Sequence, residues 1–258
     1  MSRYENLSEK SHPISAIHKA LDILLLFRGR NRHITIEEIV QELALPRSTV
    51  YRYVRALSDK GLLEKMGNGH YRPGLALLEL GRGALNNNRN LRLIAFPGMQ
   101  RIAEQTRESV TLMRRFNQQA ICIENIEGQY ALRVMMERGR TQPLHAGASS
   151  KVLLAYLPEG DWATHLNLPL QGFTETTTTD TTSLETQLHR IRQDGYCVSD
   201  GEIDVGARAL AVPLRNGYGE VIAALSIEAP ATRMDNTIIA EYLALLQAEA
   251  TIIQDALT

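Results

Sequence analysis

Three short apolar periodicities followed directly by a hairpin pattern fill residues 14–73, and few folds accommodate such a run. In the first segment, ISAIHKALDILLLFRG, Ile14, Ile17, Leu21, Leu24, Leu25 and Phe27 form one apolar stripe that stops at Gly29. The second, IEEIVQEL, is preceded by Thr35 as a cap, with Glu38 three residues later to complete a capping box; Ile36, Ile39, Val40 and Leu43 are its inward residues. A tight Ala44-Leu45 connection leads to Pro46, which suits the first turn of a helix. RSTVYRYVRALSDK then runs to Gly61 with Val50, Val54 and Leu57 facing in. In LLEKMGNGHYRP two extended runs flank Asn68-Gly69, a strong turn signal. Three short helices and a hairpin within about 60 residues make the pattern of a winged helix-turn-helix.

The third helix carries the chemistry. No acidic residue stands between Glu42 and Asp59, whereas Arg47, Arg52 and Arg55 do. One face is apolar and the other is cationic with hydroxyls, a face that a DNA major groove accepts. Arg47, Ser48, Thr49, Tyr51, Arg52 and Arg55 are the candidate DNA-contacting residues, although an isolated helix with this face would be an ordinary solvated one. Lys65, Asn68 and His70 on the hairpin either touch phosphate and minor groove or form a plain surface turn. Arg28, Arg30 and Arg32 either add backbone contacts or keep a loop soluble.

Charge is divided along the chain. Residues 1–91 hold fourteen Lys/Arg against nine Asp/Glu, and residues 92–258 fourteen against twenty, so a net of +5 precedes a net of −6. A basic head on an acidic body points to a polyanion met by the head alone. Residues 1–13 read as a flexible tail, 14–73 as the DNA-binding domain, 74–91 (GLALLELGRGALNNNRNL) as a linker helix ending in an Asn-rich hinge, and 92–258 as a second domain. The helix LRLIAFPGMQRIAEQT accommodates Pro97 with a kink or a restart.

Beyond Thr106 the pattern is mixed. SVTLMRR, AICIENIE and YALRVMM are expected strands, and HAGASSKVLLAYLP a loop entering a helix. TTSLETQLHRIRQDG is a helix capped by Thr182 with Glu185 as its box partner and ended by Gly195. YCVSD, RALAVPL and EVIAALSIE are strands, the last two joined at Asn216-Gly217, and an amphipathic helix runs from about Asp235 to Leu257. The fold class is α+β.

Composition sets the boundaries. Apolar residues make up 44%, enough for a packed core. Cys122 and Cys197 form no metal or redox pattern and read as buried packing in a reducing compartment. The polar start lacks a secretory signal, and no run approaches the roughly 20 apolar residues that cross a bilayer, so a cytoplasmic protein without membrane contact is expected. GASSK lacks the closing glycine of a nucleophile elbow, and no metalloprotease, Walker or dinucleotide motif occurs. A regulator without catalysis or cofactor is expected. A small hydrolase and an architectural DNA-binding protein are the alternatives; the large acidic body is unnecessary for the latter.

Five ordered segments resemble the IclR-type bacterial transcription regulators: LPRSTVYRYVRALSDKGLL, YRPGLALLELG, ESVTLMRR, PLHAGASSKVLLAYLP, and GYCVSDGEIDVGARALAVPL with GEVIAALSIEAPATRM. The resemblance spans nearly the whole chain. It implies a GAF-like or profilin-like sensor domain, a homodimer or dimer of dimers, a roughly palindromic double-stranded operator, and a small-molecule effector, commonly an organic, sugar or aromatic acid. Family members repress, activate or do both.

Carried onto this sequence, the effector pocket falls at Ala148, Ser149, Ser199, Ala209, Ser226 and Glu228. Several positions depart from the family pattern. Ser150 replaces a glycine, Ser199 stands where some members carry an acid, Ala209 replaces a frequent cysteine, and Glu228 replaces a small or hydroxyl residue. A carboxylate at Glu228 repels a bare carboxylate ligand unless an arginine or a proton offsets it, so a hydroxylated or amine-bearing metabolite is expected in place of a simple small anion. Ala44 replaces the usual turn glycine, a small strain if its φ is positive. Ser149, Ser150 and Lys151 after Gly147 either form an anion-attracting helix start or a serine cap with a solvent-facing lysine. His145 reads as a satisfied core histidine, and TETTTTDTT as a hydroxyl-rich loop with no site.

Overall fold

The structure, a computed structural model, describes residues 16–28, 33–87 and 89–257. The expected tail, Ile14, Gly29, Arg30 and Arg32 lie outside the described residues. The chain divides into two compact units, Met1–Asn87 and Asn88–Thr258.

The first unit comprises α1 (Ala16–Leu25), α2 (Ile36–Leu43), α3 (Arg47–Asp59), β1 (Leu63–Lys65), β2 (Tyr71–Pro73) and α4 (Leu75–Asn87). The capping box forms: the Glu38 amide donates to Thr35 Oγ1 at 3.2 Å and the Thr35 amide to Glu38 Oε2 at 2.7 Å. Ala44 takes φ 49°, the left-handed conformation, and turns the chain between α2 and α3. Pro46 is the residue just before α3 instead of its first turn. Val50, Val54 and Leu57 of α3 close on Ile36 and Ile39 of α2. On α1 the expected stripe is corrected. Ile17, Leu21 and Leu25 are 71%, 49% and 41% exposed, and the buried residues are Ile23, Leu26 and Phe27. The segment is apolar on two faces, and a three-helix core this small covers only one. Gly74 permits the hairpin to close, since a Cβ there would lie 2.1 Å from the carbonyl oxygen of Gly61. Helix α4 continues through Asn86 and Asn87 where an Asn-rich break was expected.

The second unit begins with α5 (Arg89–Thr106), which stays helical across Pro97. It continues with β3 (Ser109–Phe116), β4 (Gln119–Ile126), β5 (Thr141–Pro143), α6 (Ala148–Ala155), α7 (Glu159–Leu166) and α8 (Thr181–Asp194). It ends with β6 (Cys197–Asp200), β7 (Ala207–Arg215), β8 (Val221–Pro230) and α9 (Asn236–Asp255). The six strands form one antiparallel sheet in the order β5-β4-β3-β8-β7-β6. Period-two alternation divides its side chains between two cores. Leu210, Val212, Leu225 and Ile227 pack with Met99 of α5 and Leu246 of α9, while Met113, Ala211 and Ala224 pack with Val152 of α6 and Leu188 of α8.

Three expectations are corrected here, and one helix is added. YALRVMM forms no strand. Its carbonyls bond to side chains instead of a ladder, Val134 accepting from Ser109 Oγ at 2.5 Å and Leu132 from Arg233 Nη2 at 2.8 Å. Helix α7, anchored by Trp162 and Leu166 at a spacing of four, was not anticipated. Helix α8 is capped by Asp180, whose carboxylate accepts from the Ser183 amide at 2.7 Å, and not by Thr182. The β7–β8 turn spans Asn216 to Glu220 with Gly219 at φ 80°, so it is longer than the two residues Asn216-Gly217.

Candidate functional site

The exposed side of α3 presents Arg47, Ser48, Tyr51, Arg52 and Arg55, with Thr49 half-buried beside them. Residues 47, 51 and 55, and 48 and 52, are four apart, so they share a face opposite Val50, Val54 and Leu57. Arg47 pairs with Glu37 of α2 at 2.6 Å, both side chains being more than half exposed, a contact that holds little energy in water. The Arg52 guanidinium lies 5.1 Å from the Tyr53 ring centre, which orders the cation without burying it. On the hairpin, Lys65 and Asn68 are exposed. His70 is turned partly inward: it is half-buried, and its Nδ1 is shielded without a hydrogen-bond partner. Arg28 is exposed.

A cavity with an interior of about 60 Å³ lies on the α6 face of the second unit's sheet and opens to solvent. Register explains its floor. Ser199 of β6 lies opposite Ala209 of β7, Ala209 opposite Glu228 of β8, and Glu228 opposite Ser109 of β3, so one cross-strand row spans the sheet. Ser199, Ala209 and Glu228 of this row line the cavity, and Ala148 and Ser149 at the start of α6 form its roof. Ser226 belongs to the next row, with Ala211 and Thr111. It is fully buried and its hydroxyl lies 3.4 Å from Glu228 Oε1, so it stands behind the cavity and does not line it.

The roof is built by charge. Gly147 at φ 83° precedes α6, and its amide donates to Glu202 Oε2 at 3.1 Å. Neither Ser149 nor Ser150 caps the helix: the Ser150 hydroxyl accepts from Gln142 Nε2 at 2.6 Å, and the Ser149 hydroxyl is buried without a partner. Lys151 does not face solvent, as the plain reading expected. It is 3% exposed, ion-paired to Glu202 and donating to Gln187 Oε1 at 3.0 Å. Burial pushes the Glu228 carboxyl up to about 6, while the Thr111 and Ser226 hydroxyls and then the Arg140 guanidinium pull the other way. Arg140, Gln142, Glu202 and Arg208 also line the cavity and were not among the expected pocket residues. Arg140 and Gln142 sit just ahead of α6 on a loop and an edge strand, where sequence periodicity carries no signal.

Burial pushes the thiols of Cys122 and Cys197 up to about 12, so both are inert packing groups. His145 is buried, its Nε2 2.9 Å from the Gln171 carbonyl oxygen. The threonine loop packs on the β6–β7 connection, Thr177 donating to the Glu202 carbonyl at 2.6 Å.

Two family models match the chain: the IclR helix-turn-helix domain over residues 16–67, and the bacterial transcriptional regulator IclR C-terminal domain over residues 84–255. The chain belongs to the IclR family. Among IclR-family relatives, it is 32% identical over 247 residues to the HTH-type transcriptional regulator KdgR of Escherichia coli, covering 95% of this chain and 93% of that one. It is 31% identical over 240 residues to XynR of the same organism, covering 91% and 93%. An IclR homologue from Microbacterium hydrocarbonoxydans, solved in complex with 4-hydroxybenzoate, superposes with a TM-score of 0.79 at 28% identity over 94% of this chain and 99% of that one. As a family member the chain is a transcription regulator whose helix-turn-helix, α2 and α3, is a DNA-binding element. No helix among the described residues is long and apolar enough to cross a membrane.

Proposed function

We propose that α3 inserts its exposed face, Arg47, Ser48, Thr49, Tyr51, Arg52 and Arg55, into the major groove of an operator, with Lys65 and His70 of the hairpin beside the backbone. The observation that carries this reading is the exposure of the three arginines on a face whose opposite side is locked into the core. Residues 14–73 act as the DNA-binding head, 74–91 as the linker and 92–258 as the effector domain. The chain works in the cytoplasm, where its DNA is, and regulates without catalysis or cofactor.

The cavity over Ser199, Ala209 and Glu228 is the effector site, with Ser226 supporting Glu228 from behind. It suits a compact organic metabolite, and the 4-hydroxybenzoate complex of the Microbacterium relative supports a small organic acid as the ligand type. The apolar residues left in solvent favour self-association. Ile17, Leu21 and Leu25 recur every four residues on α1, and Leu75 and Leu78 are 74% and 66% exposed on α4. A homodimer, or a dimer of dimers, reads a roughly palindromic operator with two heads. Effector binding shifts the separation of the heads, and by linkage effector and DNA alter each other's affinity equally, by about 5–150-fold.

The test is selection of bound duplexes from a random-sequence pool, followed by mobility shift of the recovered duplex with and without metabolites. Recovery of a two-fold-symmetric site whose binding responds to a metabolite is expected. Failure to enrich any duplex would overturn the reading.

A further inference from the structure

Five glutamates of the second unit are buried: Glu108, Glu124, Glu202, Glu228 and Glu249. Four of them meet a cation. Glu108 accepts from Arg233, Glu124 from Arg92 and Arg138, Glu202 from Lys151, and Glu249 from Arg101. Of these five, Glu228 has no ion pair among the described residues, and hydroxyls alone face its carboxyl, those of Thr111 and Ser226, the latter 3.4 Å from Oε1. A buried carboxylate without an ion pair is costly, and this one sits on a cavity wall. Two further groups of the same cavity are unmatched. Ser149 is 4% exposed and its buried hydroxyl makes no hydrogen bond. Arg140 is exposed and forms no ion pair among the described residues, whereas Arg208 is held by Asp200 at 2.5 Å. Between them, Val134, Met135 and Ile203 supply apolar wall.

An acceptor and a hydroxyl deep in the cavity, a cation without an ion pair on its lining and apolar surface between them describe the ligand by complement. We propose that the effector is dipolar, a carboxylic acid that also carries a hydrogen-bond donor, and that Glu228 selects it by accepting that donor while Arg140 holds the acid. This rests on the reading of the cavity as the effector site. The donor is a hydroxyl or a protonated amine; both bring an O–H or N–H to Glu228 and the Ser149 hydroxyl. A bare acid leaves Glu228 unpaired and places like charges together, and sites built to bond a polar group reject the analogue that lacks it.

Isothermal titration at pH 7.5 with two matched sets decides the matter: benzoate, 4-hydroxybenzoate and 4-(aminomethyl)benzoate, and butyrate, 4-hydroxybutyrate and 4-aminobutyrate. In at least one set a donor-bearing member is expected to bind about tenfold or more tighter than its unsubstituted acid, and Glu228→Gln to lower that preference. If the donor is a hydroxyl, Glu228→Gln keeps part of the affinity through its amide oxygen; if it is an ammonium, binding is lost. The proposal is overturned if the unsubstituted acids bind as well as the others, if no member binds, or if Glu228→Gln keeps the preference in full. Ala209→Leu, which narrows the cavity and is checked for folding by its Trp162 fluorescence, separates the two failures. Ligand affinity unchanged in Ala209→Leu places the ligand elsewhere and ends the effector-cavity reading itself. Affinity lost in Ala209→Leu but indifferent to Glu228→Gln ends only the donor selection.

Discussion

Lys151 and Glu202 form an ion pair in which both side chains are more than nine-tenths buried, and the second oxygen of that carboxylate holds the amide of Gly147 at the head of α6. One glutamate from the β6–β7 connection thereby fixes the helix that roofs the cavity. Removing one member leaves the other charged and desolvated. Glu202→Ala is expected to destabilise the second unit by about 3–5 kcal/mol, and Lys151→Met with Glu202→Leu to recover most of that loss, because packing replaces a pair that must be desolvated. Denaturant unfolding followed at Trp162, the chain's single tryptophan and a buried residue of α7, reads this unit alone. A double variant no better than the single would contradict the account.

The capping box of α2 makes a smaller, local prediction. Thr35→Ala removes the acceptor of the Glu38 amide and is expected to cost about 1 kcal/mol, confined to the first unit. Hydrogen exchange should rise across α2 and α3 and stay unchanged in the sheet.

Glu228 gives the second unit a definite pH response. Its folded pKa, about 6, lies above the ordinary 4.5, so the folded state holds the proton more tightly than the unfolded chain. The stabilising contribution is complete below about 4.5 and is lost as pH rises through about 6. A shift of this size corresponds to about 2 kcal/mol. Glu228→Gln should therefore gain up to about that amount over the native chain at pH 7.5, and the gain should shrink to a constant near pH 4.5. A difference independent of pH between these limits would show that Glu228 is not the group responsible.

Gly74 is a steric requirement and not a flexible joint. A Cβ there would overlap the Gly61 carbonyl, which itself accepts the amide of Ala76 at the start of α4. Gly74→Ala is expected to destabilise the first unit by about 1–3 kcal/mol through forced backbone movement. Far-ultraviolet melts that coincide with those of the native chain would refute this.

The helix-turn-helix was legible because its signals are local: the Thr35/Glu38 box, the Val50/Val54/Leu57 spacing and the Asn68-Gly69 turn each lie within a few residues. Helix α1 was misread because Ile17, Leu21 and Leu25 satisfy the same period as a core stripe; which of two apolar faces is buried depends on what packs against it. In the second unit the strand runs of β3, β7 and β8 were readable from alternation. The irregular run 130–136 was not, because Ser109 and Arg233, remote in sequence, satisfy its carbonyls. Ser199, Ala209 and Glu228 come together through register, and the same register sets Ser226 one row away. The Lys151–Glu202 pair spans 51 positions and has no local signature.

The central claim is that the arginine face of α3 lies against duplex phosphates, and the salt dependence of binding tests it most directly. Affinity for a selected duplex is to be measured by fluorescence anisotropy between about 50 and about 300 mM KCl for the native chain and for Arg52→Ala/Arg55→Ala. The account predicts weaker binding by the variant and a slope of log K against log salt shallower by about one for each phosphate contact removed, with the far-ultraviolet melt of the whole chain unchanged. Native and variant lines that superimpose in both affinity and slope would contradict it.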